Sequence, residues 1–230
     1  MLGTLVVGGL AALDATPVAQ TLASQPLVTA TVLGAFWGDW STALGVGTVL
    51  QILAASTLPI GARTPEDYSV GGVVGAGVAL SIASAAPFEH VRQAASLVGV
   101  MTGMVAATVG VPLLRWQRRQ NEGLARWCEA ELRSGHERAL AEAQWAGVAL
   151  AFAVGLAATA LWMAVAHWGS GLVERESLRL AGVWHLLQPL WLGFGFAQLL
   201  HAFVQRRLER AGVFAAALVG AWLVIVAGAP

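Results

Sequence analysis

Seven apolar stretches, separated by shorter polar segments, run along the chain. They lie at about residues 2–13, 27–57, 68–88, 94–114, 144–167, 180–203 and 211–229. A membrane-spanning helix needs roughly 20 apolar residues. The first stretch is too short for a span, and the second is too long for one. The other five each fit one span, although His185, Gln188, Pro189 and Gln198 interrupt the stretch 180–203. This pattern predicts a multi-pass helical membrane protein.

The second stretch, residues 27–57, is interrupted by Gly38-Asp39-Trp40. This pattern predicts two half-depth or tilted segments in place of one helix. Short, interrupted apolar segments are typical of the re-entrant or broken helices of transporters. We therefore predict an all-α integral membrane protein, a multi-pass helical bundle with re-entrant or broken helices in the N-terminal half.

The longest polar stretch, residues 115–144, contains six arginines interspersed with glutamates. Its Ala, Leu, Glu and Arg content favours a helix. Arginines beside apolar spans indicate a cytoplasmic location, and alternation then places residues 168–179 outside. The predicted organisation is an N-terminal membrane half (1–114), a charged cytoplasmic helical segment (115–143) and C-terminal membrane helices (144–230).

The composition agrees with a membrane protein. The chain is 57% hydrophobic and 11% charged, with a mean hydropathy of +0.68, whereas a soluble domain has about 25% charged residues. The 13 basic and 13 acidic residues balance, which argues against a nucleic-acid partner. The single cysteine, Cys128, excludes an intrachain disulfide. The five histidines form neither an HExxH motif nor a close cluster, so no metal site is predicted.

Five strongly polar residues lie in or beside the apolar stretches of the N-terminal half: Asp14, Gln20, Asp39, Gln51 and Asp67. Such residues usually face a protein interior or a cavity, because hydrocarbon does not solvate them. For Asp14 and Asp39, an alternative is that each caps a short helix at the membrane interface. For Gln51, a helix–helix hydrogen bond and a bond to a sugar hydroxyl both remain open.

The segment LPIGARTPEDY, residues 58–68, follows soon after Gln51. Pro59 and Pro65 cannot donate backbone hydrogen bonds, and Gly61 permits unusual dihedral angles. Irregular backbone exposes N–H and C=O groups that a polar ligand can use, and at membrane depth it occurs only where it lines protein or water. The residue types alone leave open both a plain loop and a binding element.

Several short motifs follow one another in order between residues 8 and 75. They are Leu13-Asp14, Gln20, Pro26, Gly38-Asp39, Gly45, Gly47, Pro59-Ile60-Gly61-Ala62 and Asp67. The ordered set resembles the membrane component IIC of the mannose/fructose/sorbose class of the bacterial phosphotransferase system (PTS). One position differs, because that family often carries Glu where this chain has Gln51.

The resemblance implies a hexose-translocating subunit in the bacterial cytoplasmic membrane. Such a subunit pairs with a membrane subunit IID, assembles into a higher oligomer, and works with a soluble IIA/IIB carrier that supplies phosphate. The carrier is the phosphorylated component, so no catalytic residue, cofactor or metal is expected in this chain. The substrate-binding residues implied by the resemblance are Gln51, Pro59, Gly61, Ala62, Asp67, Gln20 and Asp14.

Gln51 keeps an alternative open. An amide bonds sugar hydroxyls but neither holds a negative charge nor takes up a proton as Glu does. The chain is therefore also compatible with a non-transporting membrane scaffold or sensor that retains the IIC fold. A self-sufficient secondary transporter is less favoured, since the later spans offer only His185 and His201 as titratable residues.

Overall fold

The computed structural model describes residues 1–15, 17–18, 20–56, 65–86, 88–204, 206, 208–209, 211–216 and 219. Within these residues the regular structure is entirely helical, which confirms the all-α prediction. The helices are α1 (Leu2–Ala15), α2 (Pro26–Trp37), α3 (Trp40–Ser56), α4 (Tyr68–Ala83), α5 (Glu89–Arg133), α6 (Ala139–Arg175) and α7 (Ser177–Phe203). In this described part, α5 and α6 are the two helices long and apolar enough to cross a membrane, and α1 to α4 are shorter apolar helices.

The apolar stretch 27–57 is two helices, as its interruption predicts. α2 begins with Pro26 in its first turn and ends at Gly38, whose φ of 73° is left-handed, a conformation that glycine adopts without strain. Asp39 then caps α3: its Oδ1 accepts from the N–H of Thr42 at 3.1 Å, and its Oδ2 from the Thr42 hydroxyl at 2.7 Å. Of the two interpretations of Asp39, the structure therefore supports helix capping.

α4 is the central helix of the bundle, with every residue from Val70 to Leu80 buried. It packs most closely against α5 through glycines on both helices. A Cβ added at Gly99 would lie 2.5 Å from the carbonyl oxygen of Gly75, and one at Gly71 would lie 2.7 Å from that of Gly103. The two backbones are therefore in contact, as in membrane helix pairs formed by small residues.

The arginine-rich stretch is not a separate element, because α5 continues through it from Glu89 to Arg133. Its 45 residues, at about 1.5 Å each, extend over about 67 Å. The hydrocarbon core of a bilayer is only about 30 Å thick, so α5 is about twice as long as one span requires. The predicted boundary between residues 114 and 115 falls inside this helix, and the division into three parts stays a prediction.

The short helices give the bundle two ends. One end, here called the Asp14 end, brings together Asp14, Pro26, Ala54 and Tyr68. The opposite end, the Asp39 end, brings together Trp37, Asp39, Ala83 and Arg92. Gln117 and Arg118, at the start of the arginine-rich part of α5, share a cavity with the Asp14-end residues Ala15 and Ser69. The arginine-rich part of α5 therefore leaves the bundle from the Asp14 end.

Candidate functional site

A polar cavity of about 400 Å³ lies at the Asp14 end. It is formed by the last turn of α1, the turn at residues 20–26, the end of α3 and the segment 65–69. Its lining residues are Asp14, Ala15, Gln20, Leu22, Ser24, Gln25, Pro26, Ala54, Pro65, Glu66, Tyr68 and Ser69. The volume lies in the range of about 300–1,000 Å³ that is usual for small-molecule sites.

Asp14 organises one wall of this cavity. Its Oδ1 accepts from the backbone N–H and the hydroxyl of Thr21, each at 2.7 Å, and its Oδ2 accepts from the N–H of Ser24 at 2.9 Å. Both carboxylate oxygens thus bind the turn that follows α1. Gln20 and Leu22 in this turn have φ values of 51° and 68°, which are unfavourable for side chains other than glycine. The Asp14 hydrogen bonds stabilise this strained turn.

Gln51 lies behind the cavity wall rather than on it. Its Oε1 accepts from the N–H of Leu27 at 3.2 Å, and its Nε2 donates to Oε1 of Gln25 at 2.8 Å. The Leu27 N–H belongs to the first turn of α2, where the helix itself offers no acceptor. Of the two interpretations of Gln51, the structure shows the helix–helix hydrogen bond. Its partner Gln25, which precedes α2, lines the cavity.

Asp67 is the N-cap of α4. Its Oδ1 accepts from the N–H of Val70 at 3.2 Å, and its own N–H donates to the carbonyl of Ala107 on α5 at 3.0 Å. Its side chain lies against Gly110, where an added Cβ would be 3.0 Å from the Asp67 Cβ. Asp67 therefore fixes the start of α4 against α5.

Asp67 lines a different cavity, a largely apolar one of about 820 Å³ between α1, α4, α5 and α6. Pro65, Glu66 and Ser69 line both cavities. The segment 65–69 consequently separates a polar space from an apolar one. We take the polar cavity as the candidate site, because its hydroxyl, amide and carboxylate groups match a hydroxyl-rich ligand.

The structure brings Asp14 and Gln20 to the polar cavity directly, and connects Gln51 to it through Gln25. Asp67 does not line the polar cavity, but its sequence neighbours Glu66 and Tyr68 do. The predicted Pro59, Gly61 and Ala62 lie outside the described residues.

Sequence reasoning missed five polar residues of the cavity wall: Ser24, Gln25, Glu66, Tyr68 and Ser69. Glu66 stands beside Asp67, and Tyr68 is the only tyrosine of the chain, so these two carried a signal. Gln25 directly precedes the proline that starts α2. Ser24 and Ser69 carried none, because serines are common throughout such chains.

Among the histidines whose side chains the structure describes, His90, His136, His167 and His185, none lines this cavity. His136 lies between α5 and α6, with Nδ1 at 3.3 Å from Glu131 and Nε2 at 3.4 Å from Glu142. His185 is at the Asp39 end. Within the described residues, no group of three or more His, Cys, Asp or Glu side chains could hold a metal ion.

Two comparisons match this chain to known proteins. A family model described as the PTS system sorbose-specific IIC component matches residues 1–174, a range that contains every predicted site residue. A solved structure titled "Structure of membrane protein" covers 97% of this chain and 96% of its own, with a TM-score of 0.63 and 15% sequence identity. At that identity, the likeness shows the fold of a membrane protein and not its activity. No curated protein sequence matches this chain.

Proposed function

We propose that this chain, which belongs to the family of PTS sorbose-specific IIC components, binds a hexose and carries it across the bacterial cytoplasmic membrane. The family match confirms the membership that the ordered motifs of residues 8–75 predict. Membership implies cooperation with other PTS components and a sugar substrate. The hexose, the partner subunit and the direction of transport are the content of the proposal.

The observation that carries the proposal is the polar cavity at the Asp14 end. Each sugar hydroxyl both donates and accepts a hydrogen bond, and the amides, hydroxyls and two carboxylates on this wall offer both functions. We assign direct contacts to Gln20, Gln25, Glu66, Tyr68 and Ser69. Asp14, Gln51 and Asp67 support them by holding the turn, α2 and α4. Pro59, Gly61 and Ala62 stay predicted backbone contacts.

The position of the cavity supports phosphorylation on the cytoplasmic side. The arginine-rich part of α5 leaves the bundle from the Asp14 end, and arginines beside apolar spans favour the cytoplasm. A sugar in this cavity would therefore be within reach of a soluble IIA/IIB carrier. The phosphoryl group would pass from a carrier histidine to a sugar hydroxyl, while this chain binds and orients the sugar.

We also propose a membrane subunit IID as a partner, within a higher oligomer. Large apolar side chains are exposed along α6 and α7, including Leu161, Leu186, Leu190 and Phe194. Exposed apolar surface of this extent is covered by lipid or by another membrane chain. The same surface therefore accommodates both the bilayer and a partner helix.

A second candidate is a non-transporting scaffold or sensor with the IIC fold. Gln51 favours it, because both polar atoms of its amide are used inside the protein, where the family often has a titratable Glu. A chain that has lost this carboxylate retains the fold and gives up proton uptake at that position.

Hexose binding distinguishes the two candidates. Binding of mannose, fructose and L-sorbose is measured for the purified chain alone and for its complex with IID. The same titrations are run on the variants Glu66→Gln and Gln25→Ala. We expect the parent complex to bind sugar. Each variant should bind more weakly, by the roughly 1–3 kcal/mol that an unpaired buried polar group costs. Glu122→Gln, on the exposed part of α5, is the matched control and should bind as the parent does. An intact complex that binds none of the three sugars would favour the scaffold.

A further inference from the structure

A second polar cavity, of about 230 Å³, lies at the Asp39 end and is not used by the function proposed above. It forms where the first turns of α3 and α5 meet α7. The side chains that matter for its chemistry are Thr42, Glu89, Arg92, Gln93, Trp184 and His185. They combine hydrogen-bonding groups of several kinds with one large aromatic ring.

The polar side chains of this cavity are already oriented by one another. Oε1 of Glu89 accepts from Nε2 of Gln93 at 3.1 Å, and Oε1 of Gln93 lies 3.1 Å from Nε2 of His185. These contacts connect α5 to α7 across the cavity. A preoriented set of polar groups loses little side-chain entropy when it binds a ligand.

Arg92 supplies donors to the cavity. Its Nε lies 3.7 Å from Oδ2 of Asp39, the residue that caps α3. No other described residue forms an ion pair or hydrogen bond with the guanidinium, so its two Nη groups remain for a ligand. A planar pair of N–H donors can bind two neighbouring hydroxyls, although it binds a carboxylate more strongly.

Trp184 supplies the apolar wall. Its side chain is only 5% exposed, and an added Cβ at Gly45 would lie 3.7 Å from its Cζ2. The cavity therefore combines one aromatic wall with a majority of polar lining groups. A sugar ring has this dual character, with an apolar C–H face and polar hydroxyl edges.

The charges favour a neutral ligand. Glu89 in the lining opposes an anion such as a sugar phosphate, and Arg92 opposes a cation. The cavity volume of about 230 Å³ is a little over half of the 400 Å³ of the Asp14-end cavity. A cavity of this size suits a single monosaccharide better than a larger sugar.

We propose that this cavity is a second, outward-facing site for an unphosphorylated monosaccharide. The inference rests on the proposed function, which places the Asp14 end in the cytoplasm and the Asp39 end outside. A sugar arriving from outside would meet this cavity first, and the polar cavity at the Asp14 end later. The chain would thus bind its substrate at both ends of the bundle.

Cysteine labelling in intact cells tests the proposal in the complex with IID. Ser41 is exposed and lines the cavity, so Ser41→Cys is introduced into a Cys128→Ala background. A membrane-impermeant maleimide should label it from outside, and mannose, fructose or L-sorbose should slow the labelling several-fold. The unsubstituted chain, whose Cys128 is buried, gives the background labelling.

Ser69→Cys, in the Asp14-end cavity, reports on the proposed function separately in inverted vesicles. If sugar protects Ser69→Cys and not Ser41→Cys, the second site is wrong and the proposed function stands. If sugar protects neither, both are wrong. Absence of labelling at Ser41→Cys from outside, in a complex that is intact by size-exclusion chromatography, also overturns the second site.

Gln93→Leu tests whether sugar protects Ser41→Cys by binding to the polar side chains of this cavity. This change removes the amide that connects Glu89 to His185. We expect it to abolish sugar protection of Ser41→Cys while sugar protection of Ser69→Cys persists. Unchanged protection of Ser41→Cys in Gln93→Leu would contradict the assigned contacts.

Discussion

Nε2 of Gln51 donates to Oε1 of Gln25 at 2.8 Å, which joins the last turns of α3 to the residue before α2. Gln25 lines the polar cavity, and Gln51 does not. The wall of the candidate site therefore depends on a residue placed behind it. This relationship separates residues that contact a ligand from residues that hold those contacts in position.

Gln51→Ala tests this dependence. It leaves the exposed N–H of Leu27 without its side-chain acceptor, so we expect a loss of about 0.5–1.5 kcal/mol in the free energy of unfolding and weaker sugar binding. Gln51→Glu places two carboxylate oxygens at this position. One can accept from the N–H of Leu27, and the other can accept from the Gln25 side chain once that amide rotates to present its NH2 group. Gln51→Glu should therefore lose less than Gln51→Ala. Unfolding in detergent measures the loss of stability, and sugar titration measures the loss of affinity. Equal losses in Gln51→Ala and Gln51→Glu would contradict the assignment.

Asp14→Asn should loosen the turn at residues 20–24. An amide nitrogen cannot accept a hydrogen bond, so the change removes an acceptor for Thr21 or for Ser24. We expect faster hydrogen exchange at the backbone N–H groups of these two residues, and lower sugar affinity. Asp39→Asn is the matched control at the opposite end, where it should affect Thr42 and leave the turn unchanged. Unaltered exchange in Asp14→Asn would show that the carboxylate does not hold the turn.

Asp67 and Glu66 should respond differently to removal of their charges. Asp67→Asn keeps an oxygen that can cap α4, whereas Asp67→Ala loses the bond to Val70, at a cost of about 1 kcal/mol. Glu66 lines the polar cavity and Asp67 does not. Glu66→Gln should therefore reduce sugar affinity more than Asp67→Asn does. The opposite order in the same titration would assign the sugar contact to Asp67.

Gly99→Ala should destabilise the α4–α5 pair. The new Cβ would lie 2.5 Å from the carbonyl oxygen of Gly75, and backbone on both sides leaves little room for adjustment. Gly123→Ala on the same helix meets nothing within 4 Å, and should stabilise α5 slightly, since alanine exceeds glycine in helix propensity by about 1 kcal/mol. Thermal unfolding in detergent gives the unfolding midpoint of each variant. Similar midpoints for Gly99→Ala and Gly123→Ala would show that α4 and α5 can move apart without a loss of stability.

Local sequence signals predicted much of the fold. Apolar stretches indicated the helices, and Gly38 and Asp39 marked the boundary between α2 and α3 because a left-handed glycine and a capping aspartate act within a few residues. The ordered motifs also predicted the family that the match over residues 1–174 confirms. The arginine-rich stretch was predicted to be helical, but the sequence did not show that it continues α5.

The sequence by itself thus determined the helical class, the broken second stretch and the family, since each depends on neighbouring residues or on their order. Only the tertiary structure decided which polar groups share a cavity. In the folded chain Gln51 bonds Gln25, Asp67 lines the apolar cavity, and Glu66 and Gln25 both line the polar cavity. These outcomes depend on how α2, α3 and α4 pack, because a side chain on a short helix faces a cavity or a neighbour according to contacts far away in the sequence.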